Sequence, residues 1–428
     1  MDLSVEGKVY VNGVFEQACI GVENGKIVEI KKILKADEHF DFGNKLVLPA
    51  GVDVHVHFRD PGMTHKEDFY TGSVAAVFGG ISCVFDMPNN IPPTTSVECL
   101  DDKISIGIRK SVVDFGLYAG VTNDNIDKIE IMSKKCNGFK VYLGSSTLSL
   151  LFDKKNLPSV LDKASLTGKP VLFHAEDEEC LIEHKMVEEK LSDHLSSRPA
   201  VCEETSIKEV LSFSQGSNAK VHVCHVSSCD GLELLKERRG NVSFGVTPHH
   251  SLLNVEKKLG SQSFYKVNPP IRTSFDKETL FNALNNGFVD VLESDHAPHT
   301  IEEKNVDFNE APSGVPGVET MYPLFLYLAK KGFLSFQRLI SLLCIRPAEL
   351  MGVSKGRIEK GFDADFIVVD LKEDECRIKA DRLHSKCGWT PFEDWPAVFP
   401  ECVFVRGEKV IDDYEIQVSQ GFGEFVGV

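Results

Sequence analysis

The sequence predicts an α/β protein: a (β/α)8 barrel of the TIM type joined to a small β-sandwich domain built from both chain ends. Three observations carry that prediction. Eight short apolar runs follow one another with helix-length stretches between them, as repeated strand–helix units on a parallel sheet require. Polar residues with catalytic chemistry stand near the C-terminal ends of these runs, the end at which such barrels carry their sites. At both chain ends the rhythm changes to alternating segments broken by Asn-Gly, Gly and Asp turns.

The elements follow in order. "KVYVNGVFEQACIGVENGKIVEIKK" carries Val-Asn-Gly and Glu-Asn-Gly signals between alternating segments, as β-hairpins do. The eight barrel strands are "LVLPAGVDVHVH", "SCVFDMP", "VVDFGLYAG", "GFKVYLG", "PVLFHAE", "KVHVCHVSS", "VSFGVTPHH" and "VDVLESDHAP", with helices expected over Lys66 to Phe78, Asp124 to Lys134 and Ser206 to Ser214. "GRIEKGFDADFIVVDL" and "ECVFVRGEKVID" return to strand runs. The expected division is a composite β domain of residues 1–48 and 352–428 around a catalytic barrel of residues 49–351.

Bulk properties narrow the function. A chain of 428 residues with 42% hydrophobic residues buries a large core and exceeds one compact domain. A formal charge of -17, with no Lys/Arg-rich block, leaves no surface for a nucleic-acid backbone. "MDLSVEGKVYVNG" lacks a secretion-signal pattern, and no apolar run approaches the roughly 18 residues that span a bilayer, so a cytoplasmic protein without membrane association is expected. The 12 cysteines are scattered without CxxC pairs and are expected as free thiols.

The chemistry concentrates in "AGVDVHVHFRDPG". Alternation along a strand places Asp53, His55 and His57 on one face and Val52, Val54 and Val56 on the other. His-X-His on a strand can chelate a divalent ion, and His174, His225 and Asp295 at other strand ends supply enough ligands for two ions at one barrel mouth. Asp53 lies deeper, where it braces His55. Lys140 has two readings: a lysine whose stem covers apolar surface, or an amine that reacts with carbon dioxide to give a carbamate able to bridge two cations.

The motifs "DVHVHFRDPG", "DMPNN", "GFKVYLG", "FHAED", "CHVSS" and "SDHAPH", in that order and over nearly the whole chain, resemble the dihydroorotase family of the amidohydrolase superfamily, in its carboxylated-lysine class. The resemblance implies two Zn2+ ions, one held by His55, His57 and Asp295, the other by His174 and His225. It also implies that carboxylated Lys140 and a hydroxide bridge them, with Asp295 as proton shuttle. The implied reaction is the reversible cyclisation of N-carbamoyl-L-aspartate to L-dihydroorotate with loss of water, in pyrimidine biosynthesis.

The metal set is shared by relatives that open other cyclic amides, so the choice of substrate rests on Arg59. A guanidinium can grip the carboxylate of dihydroorotate through two hydrogen bonds, whereas dihydrouracil and allantoin lack that group. The bland alternative for Arg59 is a surface arginine paired with Asp60 or Asp68. The family pairs this arginine with residues that correspond to Asn89 and His299, and allantoinases typically carry asparagine in its place. Asn268 matches a position near the substrate ring and is also an ordinary turn residue before two prolines. Residues 300–318 suggest a mobile loop over the mouth, where Ser313 and Val315 depart from the family pattern.

Other residues are read as support. His222 and Cys224 are expected on the opposite face from His225, packed toward the helices; His249 and His250 near the mouth but outside the metal set; and His296 orienting a ligand. The competing functions are allantoinase or dihydropyrimidinase, and a non-catalytic scaffold. The sequence does not fix the oligomeric state and is compatible with a homo-oligomer; the length leaves no room for a fused aspartate carbamoyltransferase, so any such partner is expected to be a separate chain.

Overall fold

The terminal Asn-Gly turns build one sheet. In the computed structural model, which describes residues 1–145, 150–238, 240–257 and 260–427, β1 (Leu3–Val11), β2 (Val14–Glu23), β3 (Lys26–Lys31) and β4 (Glu38–Pro49) precede the barrel. Asn12 and Gly13, and Asn24 and Gly25, all have positive φ, the conformation that a two-residue hairpin turn needs.

Barrel strands β5 (Gly51–Val56), β6 (Ile81–Asp86), β7 (Asp114–Gly120), β8 (Gly138–Tyr142), β9 (Val171–His174), β10 (Val221–Val223), β11 (Val242–Val246) and β12 (Val291–Leu292) pair in that order, each parallel to the next. Seven of the eight expected runs contain one of them whole, and β6 begins one residue before its run. The edges approach through a parallel bridge between Val56 and His296, with His57 N donating to His296 O at 2.8 Å, so the barrel is nearly closed. After it, β13 (Phe366–Val369), β16 (Cys402–Val405), β17 (Glu408–Asp412) and β18 (Glu415–Ile416) extend the terminal sheet from β4, while β14 (Glu375–Arg377) and β15 (Pro396–Val398) form a separate pair.

The terminal sheet has two apolar faces, as alternation requires. Val5, Val9, Ile20, Phe366, Val368 and Phe404 form its own core, while Tyr10, Leu48, Ile367, Val369, Val403 and Val405 join the large core shared with the barrel. Buried Lys355 adds an ionic tie, lying 2.7 Å from Asp114 on β7 and 2.8 Å from Asp365 beside β13.

The helices follow local signals with shifted bounds. Asp68 caps Phe69–Phe78, accepting from Tyr70 N and Thr71 N; the expected Ser206–Ser214 helix is the end of Ala200–Ser214; and Asp124 to Lys134 contains only the short turns Ile126–Lys128 and Ile129–Met132. Among the described residues no helix is long and apolar enough to cross a membrane.

One expectation is corrected. Cys180 and Cys202 form a disulfide, so the thiols are not all free; the pair is 22 residues apart and meets because Glu178–Glu183 packs on Ala200–Ser214. The 300–318 segment is anchored at both ends, with exposed residues between. Thr300 caps a helical turn, Ile301–Lys304, and the buried Lys304 ammonium reaches the carbonyls of Pro312 (2.8 Å), Gly314 (3.1 Å) and Lys266 (3.2 Å), one acceptor for each of its hydrogens.

Candidate active site

Strict alternation fails where the site begins. Val52 and Val54 pack with Cys83, Phe85, Tyr118, Leu172 and Val291, from four other strands, and with Cys224 just past β10, a set that can meet only inside the barrel. A register shift between Asp53 and Val56 breaks the parity, and His55 and His57 both reach the cavity at the mouth. The valines below them are therefore barrel filling and do not lie on an opposite face. Asp53 braces His55 as expected: its Oδ1 accepts from His55 N (3.1 Å) and Ser294 N (3.2 Å), and burial pushes its carboxyl up to about 7.

The second parity correction is at β10. Cys224 lies inside the barrel, its Sγ 3.1 Å from Lys140 Nζ, and His222 Nε2 lies 3.6 Å from Glu293. Neither faces the helices, because the strand pleat ends at Val223 and His225 takes a positive φ of 39°, which turns its ring back inward.

All ten candidate site residues line one cavity of about 590 Å³. At its base His55 Nε2 and His57 Nε2 lie 3.3 and 3.1 Å from the same Asp295 oxygen. Each imidazole turns Nδ1 to an acceptor, His55 to Glu293 (3.3 Å) and His57 to Asn89 Oδ1 (2.6 Å). Each Nδ1 thus carries the hydrogen, and in the neutral ring Nε2 keeps its lone pair. In that tautomer two lone pairs and a carboxylate oxygen converge, a donor set that could hold a cation. Burial pushes His57 down to about 3, keeping it neutral.

Lys140, His174 and His225 complete the base. His174 Nε2 meets Glu176 at 2.8 Å, leaving Nδ1 free toward His225 Nε2 at 3.1 Å; His225 Nδ1 is buried with no hydrogen-bond partner. Burial, with His174 beside it, holds His225 well below its ordinary value, so it too is a neutral ligand candidate. This donor set fits metal ions.

Glu293, Glu176 and Arg198 were missed from sequence. Glu293 holds the His55 ring and the His225 backbone N–H (2.5 Å); Glu176 is itself gripped by Arg198 Nε at 3.1 Å. Both carboxylates stand two residues from a recognised ligand, in "ESD" and "HAE", and that spacing was the available signal. A fourth missed residue is Lys103, buried against Asp86 (2.6 Å) and donating to Met87 O, which pins the loop carrying Asn89.

Arg59 forms the upper wall. It is buried, Asp60 pairs instead with Lys110 (2.6 Å) and Asp68 with Lys386 (2.7 Å), which removes the surface ion-pair reading. Its Nε reaches Pro298 O and its Nη2 lies 3.4 Å from His299 Nε2. Gly62 makes this turn possible: φ is +93°, and a Cβ there would stand 2.0 Å from Ile91 O. Asn268 contributes a buried Oδ1 without a partner. His249 and His250 lie outside the cavity lining, and His250 is held by Thr247 and Pro269 O. The His296 ring touches no ligand candidate; it accepts from Gly317 N at 3.1 Å, and only its backbone oxygen, through His57 N, serves the site.

A barrel with convergent imidazoles, a carboxylate and a lysine at its mouth defines a class. Residues 46–410 match the Amidohydrolase family, and the chain belongs to that family. It is 41% identical to a dihydroorotase of Thermoplasma acidophilum over 100% of this chain and 98% of that protein, and 39% identical to a dihydroorotase of Methanosarcina acetivorans over 98% and 94%. Among solved structures it is similar to an L-hydantoinase (dihydropyrimidinase) from Arthrobacter aurescens, with TM-score 0.95 and 29% identity over the full length of both chains.

Proposed function

We propose that this chain is a dihydroorotase, which interconverts N-carbamoyl-L-aspartate and L-dihydroorotate with loss or gain of water. The observation that carries the reading is the buried Arg59 guanidinium. It faces the cavity beside His299 and, among the described residues, has no ion-pair partner. An unpaired buried charge is costly, and a substrate carboxylate offsets that cost. A neutral cyclic amide of the hydantoin or dihydropyrimidine kind would leave it unpaired.

His55, His57 and Asp295 would hold one zinc ion and His174 and His225 the other, with Lys140, carboxylated on Nζ, between them. Two such ions supply Lewis acidity, which polarises a carbonyl and provides a nucleophile near neutral pH. The chain's own residues do the rest. Arg59, Asn89 and His299 hold the ring carboxylate, Asn268 contacts the ring, and Asp295 moves the proton to the leaving ring nitrogen in hydrolysis. Residues 1–48 and 352–428 serve as the supporting β domain for the catalytic residues 49–351.

The test is kcat/KM of the zinc-supplemented protein for L-dihydroorotate beside dihydrouracil and allantoin. A preference of several orders of magnitude for dihydroorotate is expected. Arg59→Met should lose about 1.5 to 3 kcal/mol of that preference, the value of a hydrogen bond to a charged group. Preference for a neutral ring, or an Arg59→Met variant that binds dihydroorotate unchanged, overturns the reading.

A further inference from the structure

One cavity-lining cation has no role in that account: Lys66. It sits on the same turn as Arg59, since Met63 N donates to Arg59 O and Lys66 N to Met63 O, both at 2.9 Å. Its side chain is 13% exposed and its Nζ lies 3.1 Å from His299 Nδ1 and 2.9 Å from Glu303 Oε1.

An ammonium has donors and no lone pair, so its 3.1 Å contact requires that His299 Nδ1 bear no hydrogen. In a neutral ring the hydrogen then sits on Nε2. Neutrality follows from burial, which with Arg59 and Lys66 nearby pushes His299 down to about 3. At Nε2 the shorter contact agrees, Ser313 O, an acceptor at 3.2 Å, while Arg59 Nη2, a donor, lies farther at 3.4 Å and favours the other tautomer. The opposite tautomer would turn Nδ1–H against the Lys66 ammonium and a lone pair against Ser313 O. It would keep only the two longer contacts, Nδ1 to Glu303 at 3.4 Å and Nε2 to Arg59 at 3.4 Å.

We infer that Lys66 is a positioning residue that holds His299 in the tautomer with hydrogen on Nε2, so that His299 and Arg59 present two adjacent donors to one substrate carboxylate. The inference rests on the dihydroorotase reading for the identity of that carboxylate. Glu303 has a matching part, accepting from Lys66 and from Thr300 N (3.1 Å), which fixes the turn that carries His299. Four side chains from two loops thus form one clasp, and removing the central lysine releases the ring to protonate the wrong nitrogen.

The experiment uses the metal-loaded full chain with 15N-labelled histidine. In substrate-free wild type, His299, identified by loss of its signal in His299→Gln, should show a bare Nδ1 and a protonated Nε2. Lys66→Met should move hydrogen to Nδ1, and Lys66→Arg, which restores a donor, should return the wild-type pattern. In turnover, Lys66→Met should raise KM for L-dihydroorotate roughly tenfold to a hundredfold, as loss of one hydrogen bond to a charged group does, with a much smaller change in kcat. A protonated Nδ1 in wild type overturns the inference without any variant, and so does a Lys66→Met protein with the wild-type pattern and unchanged KM. If wild type fails to turn over dihydroorotate, the substrate reading falls alone, and the substrate-free spectrum still decides whether Lys66 sets the tautomer.

Discussion

Replacing Glu293 with glutamine changes the site by one hydrogen-bonding group and almost no volume. Glu293 is fully buried; its Oε1 accepts from His225 N at 2.5 Å and its Oε2 faces His55 Nδ1 at 3.3 Å. Burial would raise its pKa, but His55 and His222 hold it well below the ordinary value, so it is a carboxylate in the folded protein. A glutamine keeps its oxygen on the His225 N–H and turns its amide hydrogens toward His55 Nδ1, two donors face to face. His55 then relieves the conflict by moving its hydrogen to Nε2, the nitrogen 3.3 Å from Asp295 whose lone pair would bind the proposed metal. The charged hydrogen bond lost is worth about 1.5 to 3 kcal/mol. At about 1.4 kcal/mol per tenfold, that is roughly tenfold to a hundredfold in affinity at the His55–His57–Asp295 position. The assay is zinc competition against a chromogenic chelator for apo wild type and Glu293→Gln, with bound metal counted by atomic spectroscopy. Equal zinc affinities in two folded proteins would refute the tautomer reasoning.

Two further outcomes are expected. Lys140→Ala should lose one or both metals and nearly all activity, with partial recovery in short carboxylic acids that replace the missing bridge; full activity with two bound metals would remove the bridging role. Glu188 gives a pH signature: burial would raise its pKa, but His194, Ser197 and Lys266 outweigh burial and hold it at about 2. A depressed carboxyl stabilises the fold above its unfolded pKa of about 4.3 and loses that contribution as pH falls toward 2. The stability gap between wild type and Glu188→Gln, read by denaturant melts, should be largest above pH 5, on the order of 1 to 2 kcal/mol for a half-buried, partly screened group, and shrink as pH falls from 4.5 to 2; a gap independent of pH in that window would count against the ion cluster.

The candidate site residues were legible because their chemistry is rare in strands. Histidines at alternate positions, a lysine in "GFKVYLG" and "SDHAPH" at a strand end stand out from valine and leucine runs whatever the surrounding packing. The hairpins were legible for a local reason too, since Asn-Gly tolerates the positive φ of Asn12, Gly13, Asn24 and Gly25. The groups that tune the site were harder to find. Glu293 acts on His55 across 238 residues and Lys66 on His299 across 233, and no local pattern specifies which distant side chain a carboxylate or an amine will meet.

Orientation was the other loss. Period-two alternation placed Val52 and Val54 away from the site and Cys224 among the helices, yet all three pack inside the barrel: the register of β5 shifts against β6, and a positive φ at His225 turns that ring to the side on which Cys224 already lies. By itself, the sequence determined the strand–helix order, the terminal hairpins and the identity of the cavity's reactive groups, because each depends on residues near one another in the chain. Only the tertiary structure decided the facing of individual side chains, the Cys180–Cys202 pairing, the anchoring of the 300–318 segment and the partners of each imidazole. Those depend on strand register and on long-range packing, where a shift of one residue or one dihedral angle exchanges inside for outside.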